Sequence, residues 1–351
     1  MKMHVDLSGL GNSGKGAVSD YLSEFESIDH TENAFEFNLV RCPGGLIDLL
    51  HGLDEFWTPI KSDDAIRRFS KLVKRLSART GFFTFNEFVN SAGFSYESYY
   101  PGFTKRTNDF LEEITSFTYR GLWPYSLFSD STLKLFYKRI RNKVFPLKST
   151  DVIYFSNKSL VREIVYKYFY DILALRQKNF NKISLTSNTF EPSLMNYYLD
   201  HFKNSKSIIV VRDPRDTYLN IKLGNKNSTA YYKKINPLLI NICAVADLAK
   251  YIEYQKVMLD KLATVNHERC LIIDFKDFVE NYTLVASKIN AFLELDLINH
   301  TSSKMKFDPE KSKKNFEKYN DFYNDPDVLR IKNELSGFWD FSNKYYRQSL
   351  K

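Results

Sequence analysis

Two hydrophobic periods alternate along this chain, and the places where one gives way to the other divide it into elements. His4-Val5-Asp6-Leu7-Ser8 reads as a short buried strand, and apolar residues at 18, 21, 22 and 25 give the segment Ala17–Phe25 helical spacing. A second strand is expected at Ala34–Val40, ended by Pro43-Gly44-Gly45. From Leu46 to Gln177 the pattern is mainly helical, with one short strand expected at Val152-Ile153-Tyr154-Phe155. Alternation then resumes with a strand at Ile183–Ser187, a helix near 192–202, a strand at Ser207–Val211, a helical stretch over 237–265 and a strand at Cys270–Asp274. Five strands with helical crossovers predict an α/β fold, a doubly wound parallel sheet with helices on both faces and a large, mainly helical insertion. Residues 1–45 and 179–351 are expected to form two parts of one core, and 46–178 the insertion.

Inside the insertion, Ile66, Phe69, Leu72, Val73 and Leu76 form an apolar stripe, with Arg67, Lys71, Lys74 and Arg75 largely on the other side. A second basic cluster runs Lys134, Lys138, Arg139, Arg141, Lys143. Such clusters read as solvated helix faces, and a polyanionic acceptor lying across them would use the same residues.

With 43% hydrophobic residues in 351, the chain can bury a sizeable core, so global disorder is excluded as a description. Cys42, Cys243 and Cys270 are widely spaced with no CxxC, which supports neither a disulfide framework nor a zinc site. The first strand begins almost at once, no signal peptide is read ahead of it, and no apolar run approaches the roughly 20 residues of a membrane span. The expected compartment is the cytoplasm. A formal charge of +8 favours an anionic partner, or else reflects a lysine-rich background.

Between the first strand and the first helix stands Gly9-Leu10-Gly11-Asn12-Ser13-Gly14-Lys15-Gly16, a match to GxxxxGK and hence a P-loop. Its glycines let backbone N–H groups converge on phosphate oxygens at a helix N-terminus, and Lys15 neutralises phosphate charge. In a nucleotide triphosphatase the next residue supplies a hydroxyl to Mg²⁺, but here it is Gly16, followed by Ala17. A donor whose transfer needs no metal removes that difficulty. Farther on, Ser207-Ile208-Ile209-Val210-Val211 ends in Arg212-Asp213-Pro214-Arg215-Asp216, which places Arg212 at a strand carboxyl end to grip a phosphate with a planar fork of donors. An Arg–Asp network capping the next helix is the structural alternative.

On these segments the chain resembles the sulfotransferases that use 3′-phosphoadenosine 5′-phosphosulfate (PAPS). In that family a strand ending in R-[DN]-P-[RK]-D, with a Ser eight residues beyond the Arg, attends the donor's 3′-phosphate. Arg212 matches the Arg and Asn220 stands at the Ser position. Cys270–Val279, with the following helix and Phe292-Leu293-Glu294-Leu295, is similar to the family's strand, acidic turn and late helix. Phe307–Asn315, containing Ser312 and Asn315, resembles its C-terminal S-x-x-N stretch. The resemblance covers residues 1–30 and 180–320 and leaves the middle uncovered. The loop departs from the family, whose Lys or Arg precedes Ser-Gly, because here the cation stands at Lys15, after the glycine.

The resemblance implies PAPS as donor, without a metal. Gly11, Asn12, Ser13, Gly14, Lys15, Gly16 and Ala17 would hold the phosphosulfate, and Arg212, Asn220, Lys313 and Lys314 the 3′-phosphate. An acceptor hydroxyl, of a glycan or another hydroxylated molecule bound by the insertion, would attack sulfur in line. Lys15 would act in catalysis, and the general base is sought among Glu36, His51, Asp48 and Glu191. Arg41 and Asp48 are candidates to line the acceptor cleft. Two other readings stand beside this one. Lys15 at the Walker position suits a P-loop kinase using Mg-ATP, and the basic helices suit a non-catalytic binder of anionic ligands. No helix-turn-helix, zinc-finger or RRM-type signature points to nucleic acid.

Overall fold

The computed structural model describes residues 3–31, 35–78, 94–121, 128, 130–144, 151–176, 182–223, 247–265 and 268–341. Two compact units emerge, Met1–Phe37 with Asn179–Lys351, and Asn38–Lys178. In chain order the strands are β1 (Met3–Gly9), β2 (Ile28–His30), β3 (Phe117–Gly121), β4 (Asp151–Phe155), β5 (Ile183–Ser187), β6 (Ser205–Val211) and β7 (Cys270–Asp274). The first unit contains a five-stranded parallel sheet in the order β2-β5-β1-β6-β7. This is the α/β fold expected from the alternation of strand and helix.

Alternation along β1 gives the sheet two unlike faces. Val5 and Leu7, with Ile183, Leu185, Ile208, Val210 and Ile273, pack against Val18, Tyr21 and Leu22 of the helix Lys15–Leu22 and against Val285, Ile289 and Leu293 of the helix Tyr282–Leu293. The opposite face carries His4, Asp6 and Ser8, all buried and all hydrogen-bonded. His4 Nδ1 lies 2.9 Å from Ser205 Oγ and its Nε2 2.7 Å from Thr186 Oγ1. The Thr189 amide donates to Asp6 at 2.8 Å, and Ser8 Oγ to the Phe190 carbonyl at 3.0 Å. Burial pushes His4 down to about 3, so its ring is neutral.

One expected strand is corrected. The sheet's outer strand on the β5 side is β2, at Ile28–His30, and residues 35–40 form an extended stretch and a turn instead. One backbone bond to the sheet is made, from Phe37 N to Ser187 O at 2.9 Å, but Leu39 O accepts from Leu46 N at 3.0 Å and Val40 O from Ile47 N at 3.4 Å, so these carbonyls cap the helix Leu46–Leu50 and no strand ladder forms. Ala34, Gln177, Cys243 and residues 237–246 of the expected helical stretch lie outside the described residues. The remainder of that stretch is the helix Leu248–Leu262, opened by Asp247, whose carboxylate accepts from Ala249 N at 2.9 Å.

The second unit packs the helices Pro59–Ser77, Phe103–Ile114 and Val161–Ala174 around an aromatic centre, in which Phe110 and Tyr168 stack at 4.0 Å. Ile66, Phe69, Val73 and Leu76 are buried as the stripe requires, while Leu72 is half-buried. The expected strand at 152–155 is β4, paired antiparallel with β3. No helix among the described residues is long and apolar enough to cross a membrane.

Candidate functional site

Four strands of the first unit deliver chemistry at their carboxyl ends, where ligands of open α/β sheets bind. After β1 comes the glycine loop, in which Gly11, Asn12 and Gly14 have φ of 30°, 51° and 88°. This left-handed backbone aims successive N–H groups inward. Gly14 is required twice over, by its positive φ and because a Cβ there would stand 2.4 Å from the Phe275 ring. The helix Lys15–Leu22 begins without a side-chain cap, and Ala17 N donates to Gly14 O at 3.0 Å. Gly16 is different, since a Cβ there meets nothing within 4 Å.

Lys15 is held by the end of β5. Its Nζ donates to Ser187 Oγ at 2.8 Å and lies 3.6 Å from Glu36 Oε1, and Asn188 Nδ2 donates to the same carboxylate oxygen at 2.5 Å. Asn188 takes a left-handed φ of 52°, a conformation Asn tolerates, and donates its own amide to Leu7 O at 3.0 Å. The fold thus brings Glu36 to Lys15.

Arg212 follows β6 directly. Its guanidinium sits 5.2 Å over the Phe275 ring and donates to the Asn315 carbonyl and, at 3.3 Å, to the Asn12 carbonyl of the glycine loop. Its Nε is buried without a hydrogen-bond partner. Burial lowers its pKa from the usual guanidinium value, against the pull of Asp216, Asp213 and Asp274. The Arg–Asp network weighed as the alternative also exists, built by Arg215 instead: Arg215 Nη2 donates to Asp213 at 2.6 Å, and its guanidinium lies 3.6 Å over Tyr319. After β7, Asp274 caps the helix Phe275–Glu280, accepting from Lys276 N at 2.8 Å, and burial pushes this carboxyl up to about 7.

Bounded by the loop, Arg212, Phe275 and the C-terminal segment is a cavity of about 360 Å³, within the usual range for small-molecule sites. Gly14, Gly16 and Ala17 line it on the loop side, Arg212 and Phe275 at the sheet, and Lys306, Lys311, Ser312 and Asn315 on the C-terminal segment. Gly11, Asn12, Ser13, Lys15 and Glu36 are not among its lining residues, and neither are Lys313 and Lys314. Lys313 pairs with Glu310 at 2.7 Å on the surface, and Asn220 Oδ1 accepts from Lys318 Nζ at 3.0 Å outside the lining. Ser13 is buried behind the loop. Glu191 precedes the short turn Pro192–Leu194.

The other expected residues belong to the second unit and serve its local architecture. Asp48 accepts from Gly44 N at 2.7 Å, closing the turn before the helix Leu46–Leu50. Arg41 Nη2 donates to Asn38 Oδ1 at 3.3 Å, and His51 Nε2 lies 3.3 Å from Glu55. Among the described residues no group of three or more His, Cys, Asp or Glu is arranged to hold a metal ion. Sequence reasoning missed Ser187 and Asn188 as partners of Lys15 and Glu36, and Lys306 and Lys311 as the cavity's lysines. Their only signal was position, after a strand end or within the S-x-x-N stretch.

No family model matches the chain, and no curated protein matches it. Among solved structures it is similar to a sulfotransferase domain from the Synechococcus PCC 7002 olefin synthase, with 14% identity, a TM-score of 0.40, and coverage of 95% of this chain and 94% of that one. A sulfotransferase domain from the curacin biosynthetic pathway gives 13% identity, a TM-score of 0.41, and coverage of 96% and 98%. A sulfotransferase from Mycobacterium avium gives 12% identity, a TM-score of 0.40, and coverage of 97% and 76%.

Proposed function

We propose that the chain transfers a sulfuryl group from PAPS to a hydroxyl of a glycan or other hydroxylated acceptor. The observation that carries this reading is Arg212, whose buried Nε lacks a partner while the rest of its guanidinium bridges the glycine loop and the C-terminal segment across one cavity. A guanidinium from a second strand end, set beside the loop, suits a donor with phosphate at two places, and an ATP site has no need of it. Gly16 and Ala17 also leave out the hydroxyl that Mg-ATP requires after Lys15.

The residues present fit such a donor. Backbone N–H groups of residues 12–16 and Lys15 hold the phosphosulfate, and Arg212, aided by Lys306 and Lys311, holds the 3′-phosphate. Asn220, Lys313 and Lys314 lie outside the cavity lining, so Arg212, Lys306 and Lys311 are the cations a 3′-phosphate would meet there. The donor supplies an activated sulfuryl group. Glu36 takes the proton of the acceptor hydroxyl at a carboxylate oxygen, and Lys15 offsets charge developing on the leaving phosphate. Their 3.6 Å separation puts the proton acceptor beside the charge stabiliser. A cytoplasmic setting accords with the free thiols Cys42 and Cys270.

Calorimetry with 3′,5′-adenosine bisphosphate against Mg-ATP tests the reading. Tight bisphosphate binding without Mg²⁺ is expected. Mg-ATP binding with no bisphosphate binding would replace it with the kinase, and steeply salt-dependent polyanion binding with neither nucleotide would leave only an anion-binding module.

A further inference from the structure

The helix Thr132–Val144 is turned inside out. Leu133, Phe136, Tyr137, Ile140 and Val144 recur at helical spacing on one stripe, and each is between 49% and 82% exposed. The far side carries Lys138, whose ammonium lies 2.7 Å from Asp130 and 2.9 Å from Asp151, the first residue of β4. A surface helix of a globular unit buries its apolar stripe and turns its charges to water. Here an ion-paired lysine and the half-buried Leu135 face inward and the apolar stripe faces out. Helical geometry at about 100° per residue sets Lys134, which pairs with Asp130, and Arg141, whose guanidinium lies 5.9 Å over the Tyr137 ring, along one edge of the stripe and Arg139 and Lys143 along the other.

We propose that this face docks on an anionic lipid surface, with the stripe entering the boundary between headgroups and acyl chains and Arg139, Lys143 and Arg141 lying against the headgroups, while Lys134 stays paired with Asp130. Charge complementarity selects that occupant. A dissolved polyanion would satisfy the cations and leave the stripe in water, and a second copy would set cations against cations. A bilayer interface offers an apolar layer bordered by fixed anions in one plane. The inference stands apart from the donor reading, because no residue it uses lines the donor cavity.

Flotation of the full chain with vesicles of phosphatidylcholine alone, and of phosphatidylcholine mixed with phosphatidylserine, tests it. The wild type should float with the mixed vesicles only, and less as salt is raised. Phe136→Ser with Ile140→Ser, and separately Arg139→Glu with Lys143→Glu, should each weaken partitioning roughly tenfold or more, with circular dichroism and unfolding midpoint retained. If the serine pair fails to fold, Leu133→Ser, at the most exposed position of the stripe, gives the same readout. Failure of the wild type to float, flotation unchanged by the serine substitutions, or light scattering showing a dimer that those substitutions dissolve would overturn the proposal.

Discussion

His300 Nε2 donates to Glu24 Oε2 at 2.8 Å, and that carboxylate has no solvent-exposed surface. Glu24 follows the helix Lys15–Leu22 and also accepts from the amides of Lys304 at 3.1 Å, Lys306 at 2.9 Å and Phe307 at 2.9 Å. His300 in turn stacks on Phe25 at 4.3 Å. One buried charge thereby ties the helix behind the glycine loop to the segment whose Lys306 and Phe307 line the cavity. Burial works against ionisation of Glu24, yet the Phe307 amide, His300 and the other amides together hold it below the usual carboxylate range.

Glu24→Gln should therefore cost about 2 kcal/mol at neutral pH, because one charge-assisted acceptor is lost among several buried donors. A carboxylate with a depressed folded pKa stabilises above its unfolded pKa of about 4.3, and the effect fades as pH falls through the folded value. Urea unfolding of wild type and variant should differ at pH 7 and converge in acid. An equal gap at both would show that the charge is not the cause.

Arg212→Ala should remove selectivity for a 3′-phosphate. With charge-assisted hydrogen bonds worth about 1.5–3 kcal/mol, affinity for 3′,5′-adenosine bisphosphate should fall roughly 10- to 100-fold, while that for adenosine 5′-phosphate changes little. Equal losses for both nucleotides would mean that Arg212 supports the loop and does not read the second phosphate.

Glu36→Gln should lower turnover about 100-fold or more while donor affinity stays near wild type, the pattern of a lost general base. Lys15→Met should impair both, since Lys15 is assigned to the bound phosphosulfate and to the leaving group. Unchanged turnover in Glu36→Gln would rule Glu36 out as the base.

The loop glycines should separate cleanly. Gly14→Ala meets the Phe275 ring and a left-handed backbone, and should cost more than about 1 kcal/mol and abolish nucleotide binding. Gly16→Ser enters open space on the first turn of a helix and should raise stability by about 0.5 kcal/mol. Thermal unfolding of the two variants checks both signs.

Asp274→Asn should make the protein more stable at pH 8 than the wild type, by up to about 4 kcal/mol, with little difference below pH 4. The raised folded value, about 7, means the native state holds a proton that the unfolded chain releases near 3.9, so wild-type stability falls as pH rises between them. Neutral His4 works in the opposite direction over an overlapping range, which is why the difference between variant and wild type is the quantity to measure. Asn can keep the cap to Lys276.

Periodicity and glycine chemistry made β1, the glycine loop, its helix, β5, β6, β7 and Arg212 legible in the sequence, because each rests on local rules: alternation, helical spacing, a left-handed turn, a charge at a strand end. The residues gathered around them were not legible. Ile28–His30 is too short to show a period, and the apolar run at 35–40 reads as a strand until its carbonyls are seen capping a helix. That Lys15 meets Glu36, that Ser187 and Asn188 hold them, that Lys306 and Lys311 line the cavity while Lys313 does not, and that the basic cluster at 134–143 presents its apolar side to solvent were decided by tertiary structure alone. The physical reason is that periodicity records which side of an element is apolar and not what that side meets, and that a hydrogen bond or ion pair between residues far apart in the chain leaves no mark on the spacing of either one.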